Sequence, residues 1–88
     1  REKYESAIEV FKFLNNNEKL VQVGDECVKH DHLVWAARSY ELAGSKDKLN
    51  TIGDIFLQKE QLNNAYEVYK QAGNQIMIQF LRDNFNMA

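Results

Sequence analysis

The pattern Ala-x-x-x-aromatic recurs at a spacing of 29 residues: Ala7 with Phe11, Ala36 with Tyr40, and Ala65 with Tyr69. The segments between the copies match as well. Leu20-x-x-Val23-Gly24-Asp25-x-Cys27 aligns with Leu49-x-x-Ile52-Gly53-Asp54-x-Phe56 without a gap. In a chain of 88 residues, almost everything is repeat. A fixed period of this length marks stacked supersecondary units, each too small to bury its apolar face alone. The pattern therefore predicts a stack of helical hairpins and a role in binding or scaffolding.

Composition narrows the class further. The length suits one small domain, residues 1–88, of modest stability, since so short a chain buries only about 60–65% of its unfolded surface. Net charge is −2 and the lysines and arginines are scattered, so no nucleic-acid partner is expected. Cys27 is the only cysteine and has no internal partner for a disulfide. No apolar run approaches the roughly 18 residues of a membrane span. These features make a cytoplasmic location the expectation. The chain opens on Arg1 directly in repeat pattern and reads as a fragment of a longer protein. The repeat units fall at about 1–17 (partial), 18–46, 47–75 and 76–88 (partial or cap).

Apolar residues follow helical spacing throughout. Tyr4, Ala7, Ile8, Phe11 and Leu14 form a first stripe, broken by Asn15-Asn16-Asn17. Leu20, Val23, Cys27 and Val28 form the second, closed by a turn at His30-Asp31-His32. Leu33, Ala36, Ala37, Tyr40 and Ala43 form the third, closed by Gly44. The next copy repeats these stripes with its turn at Lys59-Glu60-Gln61 and its close at Gly73; Ile76, Ile78, Leu81 and Phe85 make the last. Six helices of about ten to twelve residues follow, with no strands. Such short helices are marginal alone and must be held by their neighbours.

The glycines divide into two kinds. Gly44 and Gly73 suit the left-handed position just past a helix end. Gly24 and Gly53 fall inside helices, where glycine costs about 1 kcal/mol relative to alanine. Their recurrence implies a close helix crossing. The sequence suggests that Ala36 and Ala65 meet these glycines, with Tyr40 and Tyr69 filling the space beyond.

These residues resemble the tetratricopeptide family. Leu20, Val23, Gly24 and Cys27 stand at the positions of its first motif, and Ala36, Tyr40 and Ala43 at those of its second. Leu49, Ile52, Gly53, Phe56, Ala65, Tyr69 and Ala72 repeat the match. The resemblance covers nearly the whole chain. The period is shorter than the family's 34 residues, the closing proline is absent, and leucine replaces the opening tryptophan. In these respects the chain looks like the shortened hairpins of vesicle-coat and intraflagellar-transport subunits. The resemblance implies an all-α, right-handed α–α superhelix and a non-enzymatic module binding a peptide, helix or neighbouring subunit. Two other readings stay open: a structural spacer or dimerisation element, and an accessory domain of an enzyme whose catalytic part lies elsewhere. In the third copy Arg82 takes the glycine position and Asn84 and Asn86 are polar, as in a terminal cap, although Phe80, Phe85 and Met87 remain apolar.

If the glycine-bearing helices line a concave face, as the resemblance implies, their exposed positions include Val21, Asp25, Val28 and Lys29. The second copy adds Asn50, Asp54, Leu57 and Gln58, and the third Gln79, Asp83 and Asn86. Stacked helices would align Asp25, Asp54 and Asp83 into an acidic row stepping by about 10 Å. Such a row suits the Lys or Arg side chains of a basic peptide or helix. The competing reading is three solvated or capping aspartates. Trp35 aligns with Ser6 and Asn64; its expected place is a surface edge, as a partner anchor or packed on Leu33.

The remaining polar groups point away from chemistry. His30, Asp31 and His32 have a metal-like spacing but lack a further placed ligand, and the aligned turn residues are Lys59, Glu60 and Gln61. Cys27 aligns with Phe56 and Phe85, so a small core thiol is expected. No phosphate loop, paired carboxylates or nucleophile motif occurs. No enzyme activity, cofactor or metal is predicted.

Overall fold

The computed structural model describes residues 2–87, and among these it contains six α-helices and no strand. They are α1 (Glu2–Phe13), α2 (Asn17–Lys29), α3 (Leu33–Ala43), α4 (Lys46–Gln58), α5 (Leu62–Ala72) and α6 (Gln75–Phe85). Each coincides with one apolar stripe. The chain packs as two compact units, residues 1–45 and 46–88. In the first, α2 packs on α3 and α1 lies against both. In the second, α4 packs on α5, and α5 on α6.

One turn motif makes all five connections. The residue after each helix, or the second after it, adopts a positive φ: Asn15 (54°), Asp31 (62°), Gly44 (72°), Glu60 (61°) and Gly73 (69°). The amide that follows reaches back to a carbonyl in the preceding turn: Asn16 to Phe11, His32 to Cys27, Ser45 to Tyr40, Gln61 to Phe56 and Asn74 to Tyr69. This is the Schellman pattern, which satisfies carbonyls that a helix end would leave unpaired. Gly44 and Gly73 stand where the sequence put them. Asp31 and Glu60 do the same work with a side chain, at a left-handed cost of about 1 kcal/mol each. Two turns also cap the next helix. Asn16 Oδ1 accepts from the Lys19 amide and Asn74 Oδ1 from the Met77 amide, each at 3.1 Å.

The interior glycines correct one sequence expectation. A Cβ on Gly24 would lie 2.4–2.8 Å from Cε1, Cδ1 and Cζ of Tyr40, and one on Gly53 would lie 2.5–2.8 Å from the same atoms of Tyr69. The atoms nearest to each glycine belong to the tyrosine ring, so the ring itself makes the close approach that the sequence assigned to alanine. The reason is steric: a ring can come this close only where the facing helix has no side chain. Ala36 and Ala65 are fully buried beside it.

Each unit has its own core. The first buries Ile8, Leu20, Cys27, Leu33, Ala36 and Tyr40; the second buries Leu49, Ile52, Phe56, Ala65, Tyr69 and Leu81. Among the described residues Ser39 is the fully buried polar side chain, and its Oγ donates to the Leu20 carbonyl oxygen at 2.5 Å. The repeat-aligned residue in the second unit is Val68, also buried. Tyr4 of α1 sets its ring 5.3 Å from that of His32, and Glu9 approaches Arg38 at 3.7 Å. The second contact is solvent-exposed and contributes little.

Candidate interaction surface

The aspartates that follow the interior glycines have specific partners. Tyr40 Oη donates to Asp25 Oδ1 and Tyr69 Oη to Asp54 Oδ1, each at 2.5 Å. The tyrosine thus crosses the facing helix over Gly24 or Gly53 and ends on the next residue's carboxylate. Gly-Asp and Tyr form one unit of packing, present twice. Burial raises both tyrosine pKa values far above the usual phenol range, and the accepting carboxylate raises them further, because ionising the ring would set two negative charges together. The hydroxyls stay protonated and donating at every physiological pH.

Asp83 occupies the same repeat position in different surroundings. It accepts from Gln79 Nε2 at 2.8 Å, one turn back on α6. Beside it Arg82 replaces the glycine, and its Nε donates to Tyr66 Oη at 3.1 Å. The sequence reading, which grouped Asp25, Asp54 and Asp83 as one exposed row, missed the two tyrosine bonds. A signal was present: Asp25 to Tyr40 and Asp54 to Tyr69 are both separations of 15 residues.

The other projected positions scatter in role. Asn50 Oδ1 accepts from Asn74 Nδ2 at 2.9 Å, so it ties α4 to the start of α6. Lys29 and Gln58 are exposed last residues of α2 and α4. Trp35 is half-buried in the first turn of α3. In the α2–α3 turn, His30 Nε2 lies 3.4 Å from Glu26 while His32 packs at a 59° tilt against Tyr4, so the two imidazoles go to different neighbours. Among the described residues no three His, Cys, Asp or Glu side chains group to hold a metal ion. Cys27 is buried. Burial, then the neighbouring Glu26 charge, pushes its thiol up to about 11, which removes thiolate character at neutral pH. No helix among the described residues is long and apolar enough to cross a membrane.

The largest exposed apolar side chains lie on α1 and just past its end, at the start of α3 and on α6. Phe13 is 85% exposed and Ile76 81%; Val10, Leu14, Val34, Phe80 and Phe85 are exposed as well. No protein-family model, curated protein or solved structure matches this chain, so its function rests on its own residues.

Proposed function

We propose that the chain is a non-enzymatic interaction module: a segment of helical-repeat scaffold that binds a peptide, a helix or a neighbouring subunit. The observation that carries this reading is the duplicated hairpin. In each copy the tyrosine hydroxyl crosses to one carboxylate oxygen of an exposed aspartate, Tyr40 to Asp25 and Tyr69 to Asp54, and so ties the paired helices together. The exposed faces differ from copy to copy as well, and there recognition would act. The surface residues of the reading are Asp25, Lys29, Asn50, Asp54, Gln58, Asp83 and Trp35. Its partner is a protein or peptide, basic where it meets the aspartates. A cytoplasmic setting and a tetratricopeptide-like ancestry complete it.

Selection from a displayed random-peptide library tests the reading. The expected result is an enriched sequence class that binds the intact chain and not a Gly53→Val variant with a disrupted hairpin. Failure to enrich any class over that control would contradict it. Charge reversal at Asp54 needs a companion variant, since Asp54→Lys also removes the acceptor of Tyr69 Oη. Tyr69→Phe removes the same hydrogen bond and keeps the carboxylate. Binding lost in Asp54→Lys and kept in Tyr69→Phe assigns the carboxylate to the partner.

A further inference from the structure

The last helix departs from its repeat equivalents in a consistent way. Ile76 stands where α2 has Glu18 and α4 has Asp47, and Phe80 where they have Gln22 and Thr51. Those four polar residues are exposed. On the face that receives the next helix the exchange is reversed. Gly24 and Gly53 become Arg82, Val28 and Leu57 become Asn86, and Val21 of α2 becomes Gln79. A ring cannot lie on Arg82 as Tyr69 lies on Gly53, where even a Cβ would come within 2.5 Å. The hairpin-mating face of α6 is therefore polar, and an apolar strip has moved to its flank.

That flank is shaped. Phe80 and Phe85 stand edge to face with centroids 6.3 Å apart. With Leu57, Leu62 and Glu60 they line a depression of about 460 Å³. Phe80 also borders a second depression of about 570 Å³, lined by Ile76, Gln75, Gln79, Asp83 and Asn84. Ile76 and Phe80 are one helical turn apart, the spacing at which a second helix lays its own apolar residues alongside. The charged residues lining the two depressions are Glu60 and Asp83, both acidic; no Lys or Arg lines either.

We infer that this strip of α6, with the α4–α5 turn, docks a basic amphipathic helix. Its apolar side chains fill the hollows beside Phe80, and its Lys or Arg side chains meet Glu60 and Asp83. The occupant follows from the charges: an acidic helix would meet two like charges, and a neutral one would leave Glu60 and Asp83 without a counter-charge. A second copy of this chain is a poorer occupant, because its own strip carries the same two acidic residues and no Lys or Arg to meet them. The inference rests on the interaction-module reading and places its site.

The test uses two synthetic amphipathic helices with identical leucine positions, one otherwise lysine and one otherwise glutamate. Binding to the full chain is followed by fluorescence anisotropy and by backbone amide chemical shifts. The expected result is preference for the lysine peptide by about tenfold, from two exposed charge contacts, with shifts concentrated at Leu57, Leu62, Ile76, Phe80 and Phe85. Phe80→Ser and, separately, Ile76→Ser are expected to weaken binding at unchanged helical circular dichroism. Glu60→Gln with Asp83→Asn is expected to erase the preference. Equal binding of both peptides, or a free chain already dimeric through α6, would overturn the inference. A library-selected peptide whose shifts fall on α2 and α3 would also overturn it while leaving the module reading intact.

Discussion

The hairpins α2–α3 and α4–α5 share a crossing and differ in what surrounds it. In both, a tyrosine ring lies on an interior glycine and its hydroxyl ends on the adjacent aspartate. Around that common centre, Cys27 becomes Phe56, and Ser39 with its bond to the Leu20 carbonyl becomes Val68. The comparison separates the crossing from its packing. Gly, Asp and Tyr recur together because each needs the others: the ring needs the missing side chain, and the hydroxyl needs the carboxylate. Core volume is filled in more than one way, as cores tolerate.

The largest expected effect comes from filling a glycine. Gly24→Ala and Gly53→Ala would each gain about 1 kcal/mol of helix propensity. The methyl would meet a buried ring anchored at its far end, and overpacking of this kind costs about 1–3 kcal/mol beyond any such gain. Net destabilisation is expected in both hairpins, measured by urea unfolding. Stabilisation in either would break the equivalence of the two.

Next comes the hydroxyl. Tyr40→Phe and Tyr69→Phe keep the ring and delete the charge-assisted bond, which costs about 1–2 kcal/mol each by the same measurement. The two values are expected to agree within about 0.5 kcal/mol, and a larger gap would show that the hairpins use the bond differently. Burial, with the bond adding to it, also sets an alkaline limit. Tyr40 and Tyr69 have pKa values raised in the fold, and that of Cys27 rises to about 11. A raised value means that the unfolded chain releases these protons first. The associated stability is intact below the ordinary pKa values, about 8.5 for the thiol and about 10 for the phenols, and is lost as pH rises beyond them. Thermal melts across that range should show Tm falling above pH of about 9, less steeply in the Phe variants.

Ser39 sharpens the difference between the hairpins. Ser39→Ala leaves a void beside the Leu20 carbonyl and is expected to cost about 1 kcal/mol. Ser39→Val installs the residue that the other hairpin carries and should be closer to neutral. If Val costs more than Ala, the surroundings of the two crossings are not interchangeable. The smallest effect is expected at a turn. Glu60→Gly relieves a left-handed glutamate and should stabilise by up to about 1 kcal/mol, read as a higher urea midpoint.

Much of this fold is written in the repeat. Helix count, order and turn positions follow from apolar spacing, and the two closing glycines from their place after each stripe. The turns at Asp31 and Glu60 were legible as turns but not as left-handed residues, because nothing local in Lys-Glu-Gln demands a positive φ; the Schellman bonds impose it. The role of Gly24 and Gly53 was half legible. Their recurrence signals a close approach, yet the choice between alanine and tyrosine as the approaching group depends on how the facing helix is rotated, which periodicity alone leaves open. The aspartates show the same limit. An exposed position on a helical projection says nothing about a hydroxyl arriving from the paired helix. The last apolar stripe grouped Ile76 and Phe85 with Ile78 and Leu81, but only the latter two are buried; the exposed flank stands out when Ile76 and Phe80 are set against Glu18, Asp47, Gln22 and Thr51.

The central claim is that the glycine exists for the ring. A double-mutant cycle of Gly53→Ala and Tyr69→Leu, read by urea unfolding, tests it most directly. Gly53→Ala should destabilise the parent by about 2 kcal/mol. In the Tyr69→Leu background the same change should be neutral or should stabilise by up to about 1 kcal/mol, as helix propensity alone would have it. An equal cost in both backgrounds would contradict the account.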